Sequence, residues 1–284
     1  MAKVICLTRG TPRFRAYKWI EDLGYPVHYI VDDETQAMRV RSMAHLGHVH
    51  VTRLKRKGQD IVAQTRDWAM RNVVDVNEWC IWVDDNVARL TALPEQFRAD
   101  RIDFDLDDEP LMGWREGFEE RARDPKALVD GLMRRCELEG TIFGGFAIET
   151  NYFFRRLRYQ WWGYVRTQLA VYRNDGSSWL TWPGMMLEDF VKSVDVVCRY
   201  GKVVIDRMAK PIKPSFEEGG IGSFQERLPH LRHDCAKLME AYPGLLRPVK
   251  EGVDFQLTFA KRSQATIDDW RRQAGYFSEP QGRS

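Results

Sequence analysis

The segment 80–87 reads CIWVDDNV. An apolar run typical of a buried strand ends abruptly in two carboxylates and a carboxamide, Asp84, Asp85 and Asn86. Burying two adjacent acids at a strand end is costly unless a cationic or polar group meets them. A divalent metal carrying a diphosphate is one such partner, because Mg²⁺ and Mn²⁺ prefer oxygen ligands. The alternative is a surface turn that merely ends the strand.

Outward from this segment, short apolar strands alternate with helices. Residues 3–8 and 27–31 have the composition of buried strands, and residues 60–73 have helical spacing. Buried apolar strands alternating with helices predict an α/β fold with a mixed, mainly parallel sheet. The second strand also ends in acids, Asp32 and Asp33. Both acid groups should lie at the carboxyl edge of the sheet, where ligands bind in such folds.

The composition limits the cellular compartment and the binding partners that we expect for the protein. The formal charge of the 284 residues is +2, so nucleic-acid binding would need a local basic patch. Five scattered cysteines without a CxxC pair argue for a reducing compartment. We find neither a signal peptide nor a stretch long enough to span a membrane. We therefore expect a cytoplasmic protein that does not act at a membrane.

Two regions depart from the strand and helix alternation. Residues 91–130 include six acids between positions 100 and 109 and show no long periodic pattern, which predicts a solvated acidic excursion. Residues 263–274 predict one helix, followed by a polar tail to residue 284. We expect one domain over residues 1–262 and a C-terminal helical extension over residues 263–284.

A third acid group, Glu188 and Asp189, follows an aromatic and glycine-rich run. Acids in the first turn of a helix are favoured by the helix dipole, which is the simplest interpretation of this pair. A carboxylate held at such a helix start could also serve as a general base.

The order of these three groups resembles the GT-A class of nucleotide-sugar glycosyltransferases, over roughly residues 3–206. The resemblance implies a Rossmann-type sheet, a nucleoside contact at Asp32 or Asp33, and a donor site at Asp84 and Asp85. It also implies Asp189 as the catalytic base, with Glu188 as the second choice. The metal would be Mn²⁺ or Mg²⁺, bound by Asp85 and Asn86 and completed by His230. Asn86 departs from the usual third acid and brings no charge, so Arg9 and Arg66 could share the diphosphate.

Four further motifs resemble the TET-associated glycosyltransferases of bacteriophages over residues 3–262. They are Thr8-Arg9-Gly10, Gly144-Gly145-Phe146, Lys210-Pro211 and the stretch 216–223. This resemblance implies transfer of a hexose from a UDP-sugar to 5-hydroxymethylcytosine in DNA, in the cytoplasm of the phage host. Thr8, Arg9 and Gly10 would then contact the donor.

The segment 151–173 favours a nucleic-acid acceptor on independent grounds, because arginines alternate with aromatic residues. Arginines bind phosphates, and aromatic rings stack on an unpaired base. The alternative is a helix whose aromatic side chains pack in the core while its arginines reach outward. The residues predicted to contact DNA are Arg155, Arg156, Arg158, Trp161 and Trp162.

The glycines of the loop 219–222 have two interpretations. Gly220 and Gly222 could belong to a lid whose backbone amides meet the diphosphate, or to a flexible connection. Two rival functions also remain. One is a glycosyltransferase with a protein or small-molecule acceptor, and the other is a non-catalytic nucleotide- or DNA-binding module.

Overall fold

The fold was obtained as a computed structural model that describes residues 2–10, 14–54, 61–92, 120–147, 159–212, 224–261 and 263–276. The helices in these ranges are α1 (Phe14–Glu21), α2 (Glu34–Arg41), α3 (Ile61–Asn72), α4 (Pro125–Leu138), α5 (Glu188–Tyr200), α6 (Phe224–Ala241) and α7 (Gln264–Gln273). The strands are β1 (Ala2–Leu7), β2 (Val27–Val31), β3 (His48–Val51), β4 (Trp79–Asp84), β5 (Arg89–Ala92), β6 (Glu120–Arg121), β7 (Phe143–Phe146), β8 (Tyr159–Gln160), β9 (Leu169–Arg173), β10 (Val204–Asp206), β11 (Ala209–Ile212), β12 (Leu246–Pro248) and β13 (Leu257–Phe259).

The central sheet has eight strands in the order β3-β2-β1-β4-β9-β7-β10-β8. Strands β8 and β9 run antiparallel to their neighbours, and the other pairings are parallel. Helices cover both faces, which explains why β1 and β4 read as continuous apolar runs. The predicted α/β fold with a mixed, mainly parallel sheet is confirmed.

The two faces of the sheet carry separate cores. Helices α1, α2 and α4 contribute to one core, which includes Tyr17, Val40 and Leu132. Helices α3, α5, α6 and α7 contribute to the other, which includes Trp82 and Trp179. The acid pair at the start of α5 therefore belongs to the same side of the sheet as α3.

The order in which the chain adds strands to the sheet reverses between β1 and β4. From β1 it proceeds to β2 and β3 on one side, whereas β4 pairs with the other side of β1. Leu7, the last residue of β1, is opposite Ile30 of β2 and Asp84 of β4. Such a switch point opens a crevice at the carboxyl ends of the strands, where ligands bind in open α/β sheets.

Several sequence-based boundaries are wrong. Within 159–173, the described part of the segment 151–173, the structure has β8 and β9 instead of the helix considered, and β9 lies in the middle of the sheet. The excursion predicted over 91–130 extends too far, because α4 begins at Pro125, with Asp124 as its N-cap. Helices α2, α4 and α6 were not predicted, whereas the helix expected over 263–274 is α7. No helix in the described ranges is long and apolar enough to cross a membrane.

Candidate functional site

A cavity of about 530 Å³ lies at the carboxyl edge of the sheet. This volume is within the usual range for sites that bind small molecules. The cavity brings together the three acid groups that the sequence separates widely. Its polar lining residues are Thr8, Arg9, Asp32, Thr65, Arg66, Asp84, Asp85, Asn86, Tyr164, Arg166, Thr167, Gln168, Glu188, Asp189 and Arg227.

Thr8 connects the ends of β1 and β4. Its Oγ1 donates to Asp85 Oδ2 at 2.7 Å and lies 2.8 Å from the hydroxyl of Tyr17. Because the only hydroxyl proton of Thr8 is given to Asp85, Tyr17 is the donor in the second contact. The backbone N–H of Gly10 also donates to Thr8 Oγ1, at 3.1 Å. Tyr17 and Gly10 thus hold the Thr8 hydroxyl, which in turn fixes one oxygen of the Asp85 carboxylate.

The predicted pair Asp32 and Asp33 divides between two roles. Asp32 lines the cavity at the end of β2. Asp33 is exposed and forms the N-cap of α2, where its Oδ1 accepts from the backbone N–H of Gln36 at 2.9 Å. The structure therefore favours Asp32 as the residue of this pair that could contact a ligand.

Backbone hydrogen bonds hold the Asp84–Asn86 turn at both of its ends. The N–H of Asp84 donates to the carbonyl of Gln168 at 3.0 Å, and the N–H of Val87 donates back to Asp84 at 3.1 Å. The next strand, β5, pairs with β11. Asn86 Oδ1 is buried and makes no hydrogen bond within the part of the chain that the structure describes. An unpartnered buried acceptor is costly, so this oxygen is available to accept from a donor or to bind a cation.

The oxygen atoms of this turn fit the metal that the GT-A resemblance implies. Two carboxylates and the unpartnered amide oxygen of Asn86 are the hard donors that Mn²⁺ and Mg²⁺ prefer. Among the described residues, no three His, Cys, Asp or Glu side chains form a metal-binding group by themselves. The exposed His230 is not among the cavity-lining residues, so the amide of Asn86 is the better third ligand.

Arg66 is a buried cation beside the cavity, with 3% of its surface exposed. Its guanidinium lies over the rings of Trp82 and Trp179, 5.3 and 5.6 Å from their centroids. Its Nη1 donates to Glu188 Oε1 at 2.6 Å, and its Nη2 is 4.0 Å from Asp84 Oδ1. Arg66 thus links the acids of β4 to those of α5. These contacts favour internal charge compensation over the predicted diphosphate contact.

The start of α5 is fixed by a residue of another helix. The carboxylate of Asp234, on α6, accepts from the backbone N–H groups of Met186 and Leu187 at 2.7 and 3.2 Å. Leu187, the N-cap residue, has no side chain that could cap the helix, so Asp234 holds the backbone just before the first turn. The other end of α5 stops at Gly201, whose positive φ of 83° suits glycine. Glu188 and Asp189 therefore occupy a defined position at the cavity.

The two acids of α5 share one adjacent cation. Burial and the charge of Asp189 raise the pKa of Glu188 to about 8, although Arg66 opposes this shift. Burial also raises the pKa of Asp189, against the hydrogen bond from Tyr164 and the charge of Arg66. The pair therefore holds a proton more tightly than free carboxylates do, which suits proton transfer near neutral pH.

Some cavity residues were not predicted. Because β9 runs antiparallel to β4, the residues that precede it reach the carboxyl edge of the sheet. Tyr164, Arg166, Thr167 and Gln168 line the cavity for this reason. The apolar run LAVYR at 169–173 could have indicated β9, but not its position in the sheet. Arg227 and Leu231 come from α6, and Ile61 and Val62 from α3.

Other predicted residues lie near or away from the cavity. Arg9 is an exposed lining residue. Gly10 is not among the lining residues; its φ is 70°, and a Cβ there would lie 3.0 Å from the carbonyl of Gln36. Arg155, Arg156, Arg158, Gly220 and Gly222 lie outside the described residues, so their predicted roles stay predictions.

The two tryptophans predicted to contact DNA pack on opposite faces of the sheet, near its edge strand β8. Trp161 stacks on Tyr159, and the guanidinium of Arg135 lies over both rings, 4.8 and 4.7 Å from their centroids. Trp162 packs against the core on the α5 side. These contacts favour the structural interpretation of Trp161 and Trp162.

Comparison with known proteins gives no family assignment. No family model matches the chain, and no curated protein matches it.

Proposed function

We propose that the protein is a glycosyltransferase of GT-A type that moves a hexose from a UDP-sugar to a hydroxyl group. One observation carries this proposal. A cavity at the switch point of an α/β sheet collects Asp32, the Asp84–Asn86 turn and the Glu188–Asp189 pair. The first two groups suit a nucleotide and its diphosphate, and the third suits proton transfer to or from an acceptor.

The order of the strands suggests how the donor would lie. β2 and β1 provide Asp32 with the apolar residues Leu7 and Ile30, which suit a nucleoside. β4 comes next and provides Asp84, Asp85 and Asn86 for the diphosphate. β9 follows, with Tyr164 and Asp189 on its side of the cavity. The sugar would therefore lie between the Asp84–Asn86 turn and Asp189.

The proposed reaction needs one base and one leaving group. Asp189 takes the proton of the acceptor hydroxyl, whose oxygen attacks the anomeric carbon as the bond from that carbon to the diphosphate breaks. UDP leaves with the bonding electron pair, and attack opposite the leaving group inverts the anomeric carbon. A bound Mn²⁺ or Mg²⁺ would offset the negative charge that UDP gains. Arg66 keeps Glu188 charge-compensated, so that Asp189 is the better base of the pair.

We propose 5-hydroxymethylcytosine in DNA as the acceptor. The proposal rests on the resemblance to the phage enzymes and on the arginine-rich sequence before β8. The cavity lining also includes two further cations, Arg166 and Arg227. Arginines in these positions suit the phosphates that flank a flipped nucleotide.

The test is incubation of the protein and Mn²⁺ with UDP-glucose, UDP-galactose or UDP-N-acetylglucosamine and two matched DNA duplexes. One duplex contains 5-hydroxymethylcytosine and the other contains cytosine. We expect nucleoside mass spectrometry to show a hexose adduct in the first duplex only. Hydrolysis of the donor without a DNA adduct would move the acceptor to a protein or small molecule. UDP binding without turnover of any donor would contradict the enzymatic function.

A further inference from the structure

Both oxygen atoms of the Asp189 carboxylate accept a hydrogen bond from the protein. The hydroxyl of Tyr164 donates to Oδ2 at 2.6 Å, and the backbone N–H of Phe190 donates to Oδ1 at 2.9 Å. A carboxylate oxygen has two lone-pair sites, so each oxygen can still accept a further proton or hydrogen bond. The two donors therefore fix the orientation of the carboxylate without closing it to a substrate.

The contact between Tyr164 and Asp189 is held by further contacts between the same two segments. The N–H of Val165 donates to Ser193 Oγ at 3.0 Å, and Ser193 Oγ donates to the carbonyl of Asp189 at 2.8 Å. Ser193 is completely buried. The ring of Tyr164 also contacts that of Phe190, with 5.6 Å between their centroids. The segment before β9 and the first turn of α5 are thus joined at several points.

Three charged side chains surround the contact between Tyr164 and Asp189. Glu188 is the second acid, Arg66 is paired with Glu188, and Arg166 lies over the ring of Tyr164 at 5.6 Å. Burial and the charge of Asp189 raise the pKa of Tyr164 well above its usual value. The hydroxyl therefore keeps its proton and acts only as a donor to Asp189.

We propose that Tyr164 is the positioning residue of Asp189: it orients the carboxylate and stabilises its ionised form, in which it can accept a proton. This inference deepens the proposed function and rests on it for the role of Asp189 as a base. A hydrogen bond to the charged form of a carboxylate favours that form. Removing the hydroxyl should therefore make Asp189 bind a proton at higher pH.

The first test is Tyr164→Phe, which keeps the ring and removes the hydroxyl. We expect kcat to fall about 10- to 100-fold with KM for the UDP-sugar within about twofold, since the donor contacts are untouched. The acid limb of the kcat profile should shift up by about one pH unit. Tyr172→Phe is the matched control, because Tyr172 also donates to an aspartate, Asp175, at 2.8 Å, but neither residue is among the cavity-lining residues. It should leave the acid limb unchanged.

The second test does not need activity. Carboxyl-¹³C aspartate labelling with NMR detection can follow the titration of Asp189, whose signal is identified by its loss in Asp189→Asn. We expect the midpoint to rise in Tyr164→Phe and, by a smaller amount, in Ser193→Ala, which releases the support of the Tyr164 segment. An unchanged midpoint in both variants would overturn the inference even if hexose transfer is observed. A raised midpoint in a protein that transfers no sugar would support the role of Tyr164 and remove the proposed function.

Discussion

Two pairs of neighbouring acids look alike in the sequence and have different surroundings in the structure. Asp32-Asp33 and Glu188-Asp189 each stand where a helix begins. In the first pair, Asp33 is exposed and caps its own helix, and only Asp32 lines the cavity. In the second pair, both residues line the cavity, and their side chains contact Arg66 and Tyr164.

This difference arises from partners that are distant in sequence. Asp33 accepts from Gln36, three residues away, whereas Glu188 is paired with a residue 122 positions away. A local N-cap adds to stability and needs no burial of charge. Two acids beside one buried cation instead destabilise the fold unless every contact is made. The first pair therefore divides between a helix cap, Asp33, and a cavity residue, Asp32, whereas both acids of the second pair line the cavity.

The largest expected effect is on kcat, and it should distinguish Glu188-Asp189 from Asp32-Asp33. Asp189→Asn should lower kcat by about 10²- to 10⁴-fold, because the amide cannot take the acceptor proton. Affinity for UDP should stay within about twofold, since the proposed diphosphate contacts lie on the β4 side of the cavity. The measurement combines hexose transfer with UDP titration by calorimetry.

Asp33→Asn is the matched control for Asp189→Asn, because it makes the same chemical change in an exposed acid that asparagine can replace as a helix cap. It should leave kcat unchanged. Near-normal turnover in Asp189→Asn would remove Asp189 from the mechanism and make Glu188 the better base.

The second prediction tests the cation that distinguishes the pairs. Arg66→Met should lower the free energy of unfolding by about 3–5 kcal/mol, since it leaves buried carboxylates without their counterion. The loss should be larger at pH 8 than at pH 5. Glu188 has a pKa of about 8 when folded, above its usual value, so its contribution to stability is present at low pH and is lost as pH rises towards 8. Without Arg66, the free energy of unfolding lost between pH 5 and pH 8 should be larger. Urea unfolding at the two pH values measures it.

Arg71→Met is the control for Arg66→Met, because Arg71 lies on the same helix and pairs with Asp67 at 2.8 Å, yet 66% of its side chain is exposed. An exposed pair of this kind contributes about 0–1 kcal/mol. Equal losses of unfolding free energy in Arg66→Met and Arg71→Met would show that the burial of Arg66 does not determine its contribution to stability.

The sequence predicted one part of the site well for a physical reason. Strands β1, β2 and β4 are buried on both faces, so each reads as an apolar run, and acids mark the ends of β2 and β4. The acids at the start of α5 and Gly201 after its end mark the limits of that helix. Local patterns therefore placed all five acids of the cavity at the ends of the correct elements.

The remaining site residues depend on pairing between distant parts of the chain. Nothing near Tyr164 indicates that β9 inserts antiparallel beside β4, and this insertion brings Tyr164 to Asp189. Arg66 was predicted to share a diphosphate, but not to pair with Glu188, because Glu188 and the two tryptophans beside Arg66 lie in other elements. Such contacts are determined by sheet order, which periodicity does not encode.

The smallest effects should separate the two members of the first pair. Asp33→Ala should lower the free energy of unfolding by about 1 kcal/mol, the usual value for a lost N-cap, without changing UDP affinity. Asp124→Ala is its control, because Asp124 caps α4 in the same way, accepting from Ala127 at 2.9 Å, and is not among the cavity-lining residues.

Asp32→Ala should show the opposite pattern. Losing the proposed hydrogen bond from Asp32 to the nucleoside should weaken UDP binding by about 1 kcal/mol, or roughly fivefold, whereas the side chain of Asp32 does not cap α2. Urea unfolding and UDP calorimetry on the three variants give both quantities. If Asp33→Ala weakened UDP binding as much as Asp32→Ala, the nucleoside contact would extend over the whole pair, and the division between cap and ligand contact would be wrong.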